Sequence, residues 1–285
     1  RVLLLGDNFD AAKAEATRLA EAEGLSYIAP FDDPRVIAGQ GTIGLELIQQ
    51  DAHLDRVFVP VGGGGLAAGV AVLIKQLMPA VKVIGVEPMG AACMTDSFAK
   101  GHVTTLPGVE TVADGCAVKT PGELTFAFCR KYLDDIITVS EMEIMSALLF
   151  LIEKHKLIAE GAGVLSLAAL TRLPFKSKKV VSILSGGNID ISTISALISK
   201  SLIARGRIFC FAVQLPDKPG QLLKVAEIVA REHANVIKLV HNQASVTDSF
   251  QQVQLEVTVE THNREHIERL SAALEREGLP VTKIY

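Results

Sequence analysis

The stretch VPVGGGGLAAGV, residues 59–70, places four consecutive glycines between an apolar strand and an apolar helix. Glycines at such a junction let backbone N–H groups converge on an anion, and the positive end of the helix dipole adds to the attraction. The run therefore predicts a phosphate-binding loop at residues 62–65. Close packing of the helix on the sheet is the alternative use of these glycines.

Strands and helices alternate on both sides of the glycine run. RVFVPV and KVIGVEP are continuously apolar, as strands covered on both faces are, and LAAGVAVLIKQLMP between them is typical of a helix. DIITVS and KKVVSILSGGN continue the rhythm. We therefore expect an α/β domain with an open, twisted parallel sheet over residues 1–205.

The N-terminal part of this domain extends the pattern. VLLLG at residues 2–6 is expected to be a strand, and NFDAAKAEATRLAEAEG after it a helix. SYIAPFDDPRVIAGQGT, residues 26–42, is rich in turn residues and is expected to be extended, with a helix beginning at IGLELIQQ.

The pattern changes near Gly206. RIFCFAVQLPDKPGQLLKVAEIVAREHANVIKLVHNQ indicates strand, turn, helix and strand, and SFQQVQLEVTVETHNREHIERLSAALEREGLPVTKIY indicates strand, helix and strand. A βαββαβ order over residues 206–285 predicts a second, α+β domain.

Composition excludes several classes of protein. The net charge of −4 gives no general attraction to nucleic acid or to an anionic membrane, and every long apolar run is interrupted before it could span a bilayer. The four cysteines lack the spacing of a metal site and fit buried thiols in a reducing compartment. We therefore expect a cytoplasmic protein without a nucleic-acid or membrane partner.

A second loop, ILSGGNID, ends the last strand of the first domain. Ligands of open α/β sheets collect at this carboxyl edge, so the two loops are expected to serve one site. Gly63, Gly65 and Ala68 also form a GxGxxA frame followed by Glu87, which leaves a nicotinamide dinucleotide as an alternative. A dinucleotide gives the second loop no particular role.

Four segments carry a resemblance to a known family. GGGGL at 62–66, SGGN at 185–188, PFDDPRVIAGQGTIGLEL at 30–47 and DGCAVKTPGELTF at 114–126 resemble the tryptophan-synthase β-type enzymes, which use pyridoxal phosphate, and within them the threonine ammonia-lyases. LPDKPGQLLKVAEIV at 215–229 resembles a single ACT domain, as in the medium-length forms of that enzyme.

The resemblance implies the type II fold of pyridoxal-phosphate enzymes, here without its N-terminal portion, together with a cofactor and a set of site residues. Pyridoxal phosphate is the implied cofactor, with Ser185 as the partner of its pyridine nitrogen. The other implied cofactor residues are Gly62, Gly63, Gly64, Gly65, Leu66, Gly186, Asn188, Asp114 and Gly115. Gly39, Gln40 and Gly41 are implied to contact the amino-acid substrate, although Thr42 as a helix N-cap explains these glycines equally well.

The implied reaction removes a proton from Cα of L-threonine and expels the β-hydroxyl, and water then hydrolyses the resulting enamine to 2-oxobutanoate and ammonia, as in isoleucine biosynthesis. Serine would give pyruvate. A serine dehydratase or serine racemase relative is the nearest alternative. A nicotinamide-dependent dehydrogenase and a non-catalytic amino-acid-binding regulatory module represent other classes.

Two family features do not occur in these residues. The Ser-Phe-Lys-x-Arg-Gly type motif, which supplies the Schiff-base lysine, and the Ser-x-Gly-Asn-His motif are absent from the 285 residues. We expect both upstream of Arg1, no catalytic residue in this chain, and no activity from this chain alone. The family's metal frame falls on Glu87, Ala91 and Cys93, where a thiol replaces a hard oxygen ligand, so no divalent metal site is expected.

The second domain is implied to be regulatory. Asp217, Gly220 and Asn235 are the positions where ACT domains receive effectors, which suggests an amino-acid effector and allosteric control. Dimerisation without an effector explains the domain equally well. The resemblance also implies a homo-oligomer, a dimer or a tetramer.

Overall fold

The computed structural model describes residues 2–6, 9–172, 178–242 and 252–285. It divides the chain into two compact units, Arg1–Asp190 and Ile191–Tyr285. The sequence places the domain boundary between residues 205 and 206. In the structure the division lies earlier, between Asp190 and Ile191, so the helix Ile191–Ala204 belongs to the second unit.

The first unit is built on a parallel sheet. Its strands are β1 (Arg56–Pro60), β2 (Lys82–Pro88), β3 (Asp135–Val139) and β4 (Val180–Ser182), in the order β3-β2-β1-β4. β1 and β2 are buried along almost their whole length, which explains their continuous apolar sequences. The predicted α/β class with a parallel sheet is confirmed.

Helices cover this sheet and connect its strands. In chain order they are α1 (Phe9–Glu23), α2 (Pro34–Gln50), α3 (Gly65–Leu77), α4 (Cys93–Lys100), α5 (Glu123–Tyr132), α6 (Glu141–Phe150) and α7 (Leu165–Leu170). One apolar cluster joins α3 and α5 to β1 and β2, through buried residues such as Ile74, Phe126, Val59 and Val83. The N-terminal end of α3 is therefore fixed relative to the sheet.

Helix α2 begins at Pro34, inside the segment expected to be extended. The Asp33 side chain accepts a hydrogen bond from the Arg35 N–H at 2.8 Å, and Pro34 occupies the first helical turn. The helix continues through its glycines. Gly41 faces α3, where a Cβ would lie 3.1 Å from the Gly69 carbonyl oxygen, so the missing side chain lets the two helices pack closely. The expectation of an extended segment is wrong from Pro34 onward.

Residues 2–6 are not a strand, contrary to the prediction for VLLLG. A strand needs backbone hydrogen bonds to a neighbour, and no described residue pairs with this segment in a sheet. Its side chains are accessible, with Leu4 93% exposed. Leu25 and Ile28, beyond α1, are also exposed.

The second unit begins with α8 (Ile191–Ala204) and continues in a βαββαβ order, as predicted. The elements are β5 (Ile208–Pro216), α9 (Gln221–Arg231), β6 (Asn235–Asn242), β7 (Gln252–Glu260), α10 (Arg264–Arg276) and β8 (Val281–Lys283). The strands pair antiparallel in the order β6-β7-β5-β8. Alternate residues of β5 and β7 join α9 and α10 in a separate apolar core.

The helices give no sign of a membrane span. Across the described parts of both units, none is long and apolar enough to cross a bilayer.

Candidate active site

The glycine run connects the carboxyl end of β1 to α3. Gly64 has a φ of 95°, which glycine adopts without strain, and the helix begins at Gly65. The loop is tightly enclosed, since a Cβ on Gly63 would overlap the Phe31 ring and one on Gly62 would lie 2.9 Å from the Cα of Cys116. Larger residues at these positions would displace their neighbours.

Backbone donors are available along this loop. Among the described residues, none accepts a hydrogen bond from the N–H of Gly63, Gly64 or Gly65. Unpaired N–H groups at a helix start, together with the positive end of the dipole, attract an anion. The loop therefore fits the phosphate group of a cofactor.

A pocket of about 240 Å³ joins the glycine loop to the second loop. β1 and β4 are adjacent and parallel, so both loops emerge at the same edge of the sheet. The second loop is held by backbone hydrogen bonds from Ile183 N–H to the Phe58 carbonyl at 3.1 Å and from Ser185 N–H to the Gly163 carbonyl at 3.2 Å. This arrangement places Ser185 on the pocket wall.

The predicted cofactor residues divide into two groups. Those that border the pocket are Gly62, Gly63, Gly64, Gly65, Leu66, Gly115 and Ser185. Asp114, Gly186 and Asn188 are exposed and do not border it. Their contact with the cofactor stays a prediction.

Pro30 and Phe31 also line the pocket, although no motif in the sequence predicts a role for them there. In the sequence, PFDDP belongs to a segment expected to be extended and to one of the stretches that carry the family resemblance, and neither feature assigns a site role to Pro30 or Phe31. Asp32, the next residue, accepts hydrogen bonds from the N–H groups of Leu124 at 3.1 Å and Thr125 at 3.0 Å. It thereby satisfies the first turn of α5 and fixes the segment beside the glycine loop.

Glu160 is the acidic side chain on the pocket wall. Its N–H donates to the Gly186 carbonyl at 3.3 Å, and its carbonyl accepts from the Gly163 N–H at 3.0 Å. Its carboxylate occupies the space where Gly186, with a φ of 74°, would carry a side chain. Gly186, the first glycine of SGGN, therefore leaves room for the Glu160 carboxylate.

Glu87 is the penultimate residue of β2 and is fully buried. Its carboxylate accepts hydrogen bonds from Met94 N–H at 2.8 Å, Thr95 N–H at 2.7 Å and the Thr95 hydroxyl at 2.6 Å. Burial, only partly offset by these hydrogen bonds, raises its pKa to about 7. Glu87 thus accepts hydrogen bonds from the free N–H groups at the start of α4. Within the described residues, no group of three His, Cys, Asp or Glu side chains could hold a metal ion.

The three predicted substrate residues lie on α2, away from this pocket. Gly39 is exposed, Gln40 is half-buried and Gly41 packs against Gly69 of α3. Gly41 borders a different, apolar pocket of about 390 Å³ between α2 and α3. The contact of these three residues with substrate stays a prediction. The close packing of α2 on α3 explains why position 41 is a glycine.

The predicted effector residues are not brought together within one chain. Asp217 and Gly220 follow the last residue of β5, whereas Asn235 begins β6. Asn235 pairs with Glu260, and Glu260 with Ile208 at the first residue of β5, so Asn235 lies at the opposite end of the sheet. It borders a pocket of about 320 Å³ there.

Comparison with known proteins identifies the family. Residues 1–186 match the pyridoxal-phosphate dependent enzymes. The chain belongs to this family. An L-threonine ammonia-lyase of Thermotoga maritima is 43% identical over 282 residues, which cover 99% of this chain and 70% of that protein.

Two further relatives of this pyridoxal-phosphate dependent enzyme are also named for the deamination or dehydration of threonine. The biosynthetic L-threonine dehydratase IlvA of Escherichia coli is 47% identical over 232 residues, or 80% of this chain and 45% of that protein. Threonine deaminase isoform 2 of Solanum lycopersicum superposes with a TM-score of 0.66 at 43% identity, covering 70% of this chain and 59% of that one. The chain thus spans 45 to 70% of the length of the two curated relatives.

Family membership replaces the nicotinamide alternative with pyridoxal phosphate. The pocket fits this cofactor's phosphate, because the glycine loop offers unpaired N–H groups and no side chain of its own. Among the described residues that line the pocket, none is a lysine.

Proposed function

We propose that the full-length protein containing these residues is a threonine ammonia-lyase, which converts L-threonine to 2-oxobutanoate and ammonia and L-serine to pyruvate. The convergence of the glycine loop and Ser185 on one pocket carries the proposal. The similarity to an L-threonine ammonia-lyase over 99% of this chain supports the choice of substrate.

The proposed roles of the pocket residues follow from their chemistry. The N–H groups of residues 62–65 bind the cofactor phosphate. Pyridoxal phosphate, when bound, supplies the electron-accepting ring that lets a proton leave Cα of an amino acid. The Ser185 hydroxyl is a neutral partner for the ring nitrogen and does not keep it protonated as a carboxylate would. A weaker electron sink favours prompt loss of the β-hydroxyl over transamination.

Residues 1–205 alone are proposed to bind the cofactor phosphate without catalysis. No lysine borders the pocket in the described part of the chain, and the Schiff-base lysine motif does not occur in the 285 residues. That lysine would serve as both nucleophile and general base. The phosphate site and the proton-transferring group are therefore proposed to come from different segments of the full-length protein.

The second unit is proposed to be an ACT domain that receives an amino-acid effector. The βαββαβ order and the turn before α9 support this proposal. Because Asp217 and Asn235 lie at opposite ends of one sheet, a shared effector site would require two copies of the unit. Equilibrium dialysis of the protein with isoleucine and valine tests it, and absence of binding of either would favour a purely dimerising role.

The substrate proposal is tested with two proteins, the full-length protein and the 285-residue chain. Each is incubated with pyridoxal phosphate, passed through gel filtration, and assayed for 2-oxobutanoate from threonine, pyruvate from serine and D-serine from L-serine. We expect 2-oxobutanoate from the full-length protein and none from the 285-residue chain. If D-serine is the main product, the protein is a racemase and the assignment as an ammonia-lyase is wrong. Borohydride reduction that attaches the cofactor to a lysine of the 285-residue chain would contradict the assignment of the lysine to another segment.

A further inference from the structure

Three buried side chains lie behind the glycine loop and donate to its carbonyl groups. The Cys93 thiol donates to the Gly62 carbonyl at 3.9 Å, and the Cys129 thiol donates to the Gly64 carbonyl at 3.7 Å. Between them, the Thr125 hydroxyl donates to the Gly63 carbonyl at 2.6 Å. Each of three successive peptide groups is thus held by a side chain from another element.

These hydrogen bonds determine where the loop N–H groups point. A carbonyl and the N–H of the following residue belong to one planar trans peptide and point in opposite directions. Holding the carbonyl of Gly63 toward Thr125 therefore turns the N–H of Gly64 away from it. The same reasoning applies to the N–H groups of Gly63 and Gly65. Cys93, Thr125 and Cys129 are buried and do not border the pocket that the glycine loop lines. The three N–H groups therefore point away from these side chains, toward the pocket.

Water cannot replace these donors. Cys93, Thr125 and Cys129 are fully buried, so water cannot enter the place of a donor that is removed. The Gly63 and Gly64 carbonyls would then keep only their backbone donors, Gly122 N–H at 3.4 Å and Ala68 N–H at 2.9 Å. Burial also raises the pKa of Cys93 to about 12 and raises the pKa of Cys129 further, so both thiols keep the proton that they donate. The Thr125 bond is the shortest of the three and is expected to contribute most, since a thiol is a weak donor.

Thr125 is itself held in place from two sides. Its N–H donates to the Asp32 carboxylate at 3.0 Å, and its hydroxyl lies 3.2 Å from the Gly122 carbonyl as well. Gly122 N–H in turn donates to the Gly63 carbonyl at 3.4 Å. The start of α5 and the glycine loop therefore form one hydrogen-bonded unit.

We propose that Thr125, with Cys93 and Cys129 in support, is a positioning residue that aims the loop N–H groups at the cofactor phosphate. None of these side chains touches the phosphate. The inference rests on the proposed phosphate role of residues 62–65.

The test compares pyridoxal phosphate with pyridoxal, which lacks the phosphate, by calorimetric titration of the protein and its variants. Thr125→Val keeps the shape of the side chain and removes the donor. It should weaken binding of pyridoxal phosphate by about tenfold and leave binding of pyridoxal unchanged. Thr125→Ser should restore wild-type binding. Thr171→Val is the matched control, since Thr171 donates to the Ala168 carbonyl at 2.7 Å, outside the glycine loop.

A second pair of variants applies the same reasoning to a thiol. Cys129→Ala should weaken binding of pyridoxal phosphate by a smaller factor than Thr125→Val, and Cys129→Ser should retain it. Inorganic phosphate, titrated as a competitor, should compete less well against both weakened variants. Circular dichroism of each variant confirms that the fold persists.

The outcomes separate this inference from the proposal beneath it. If the wild-type protein binds pyridoxal and pyridoxal phosphate equally, the phosphate role of the glycine loop is wrong. If the wild type prefers pyridoxal phosphate and both Thr125→Val and Cys129→Ala keep that preference, only the positioning role is wrong. A parallel loss of pyridoxal and pyridoxal phosphate binding would likewise overturn it, because the effect would not concern the phosphate.

Discussion

At the residue scale, Glu87 shows how burial and hydrogen bonding compete over one carboxyl group. Three donors from the start of α4 favour the ionised form, whereas complete burial opposes it and prevails, raising the pKa from 4.5 to about 7. The unfolded chain therefore loses this proton at a lower pH than the folded chain does.

Stability is expected to fall with rising pH because of Glu87. Below 4.5 the carboxyl is protonated in both states, and between 4.5 and about 7 only the folded state holds the proton. The contribution lost across this interval is about 3 kcal/mol, at about 1.4 kcal/mol per pH unit. Urea unfolding at a series of pH values should show this slope in the wild type and a reduced slope in Glu87→Gln. Glu46→Gln, at an exposed position, is the control, and an equal slope in wild type and Glu87→Gln would contradict the prediction.

The cysteines are expected to be inert in the folded protein. All four are buried, and burial raises the pKa of both Cys93 and Cys116 to about 12. At pH 8 such a thiol is ionised to about one part in ten thousand, and only the thiolate reacts. Ellman's reagent should therefore react slowly with the native protein. In guanidinium chloride it should react rapidly with all four thiols. Rapid release of one equivalent from the native protein would show that a thiol is accessible.

At the element scale, the contact between α2 and α3 depends on glycines that face each other. A Cβ on Gly69 would collide with the carbonyl oxygen of Ile37, and one on Gly41 would lie 3.1 Å from the Gly69 carbonyl oxygen. The helices approach so closely only because side chains are absent there.

This contact gives opposite expectations for two glycine-to-alanine substitutions. Gly69→Ala should lower the free energy of unfolding by about 1 to 3 kcal/mol, because backbone must move to admit the methyl group. Gly39→Ala lies on the open face of α2, with no atom within 4 Å of the added Cβ, and should raise it by about 0.5 to 1 kcal/mol. Chemical denaturation of both variants measures the difference. Equal effects would show that α2 and α3 do not pack as closely as described.

The same helix marks how far sequence reasoning reaches at this scale. β1 and β2 are predictable because residues buried on both faces must be continuously apolar. The start of α2 is also signalled, by Asp33 as N-cap and Pro34 after it, but the glycines of GQG suggest a break. Their tolerance inside a helix depends on a partner helix, which only the tertiary structure reveals.

The pocket shows the same division between local and distant information. Both glycine loops are predictable because parallel strands end at one edge of a sheet. Phe31 and Thr125 are not, since their roles depend on contacts with Gly63 across long separations in the chain. VLLLG fails as a strand for a related reason, because an apolar run becomes a strand only where another strand pairs with it.

At the scale of the whole molecule, the effector residues show what element order leaves open. Asp217 and Asn235 are close in sequence, but α9 returns the chain to the other end of the sheet before β6 begins. The βαββαβ order is predictable from periodicity, whereas the grouping of side chains depends on strand pairing.

The second unit is expected to fold without the first, since it has its own apolar core. A fragment of residues 191–285 should give a circular dichroism spectrum of mixed α and β structure and one cooperative urea transition. Leu270 of α10 is fully buried, so Leu270→Ala should lower the free energy of unfolding of the fragment by about 2 to 5 kcal/mol. Leu223 of α9 is 60% exposed, and Leu223→Ala should change it by less than about 0.5 kcal/mol. A fragment without a cooperative transition, or equal effects of the two substitutions, would show that this core is not sufficient to fold the unit.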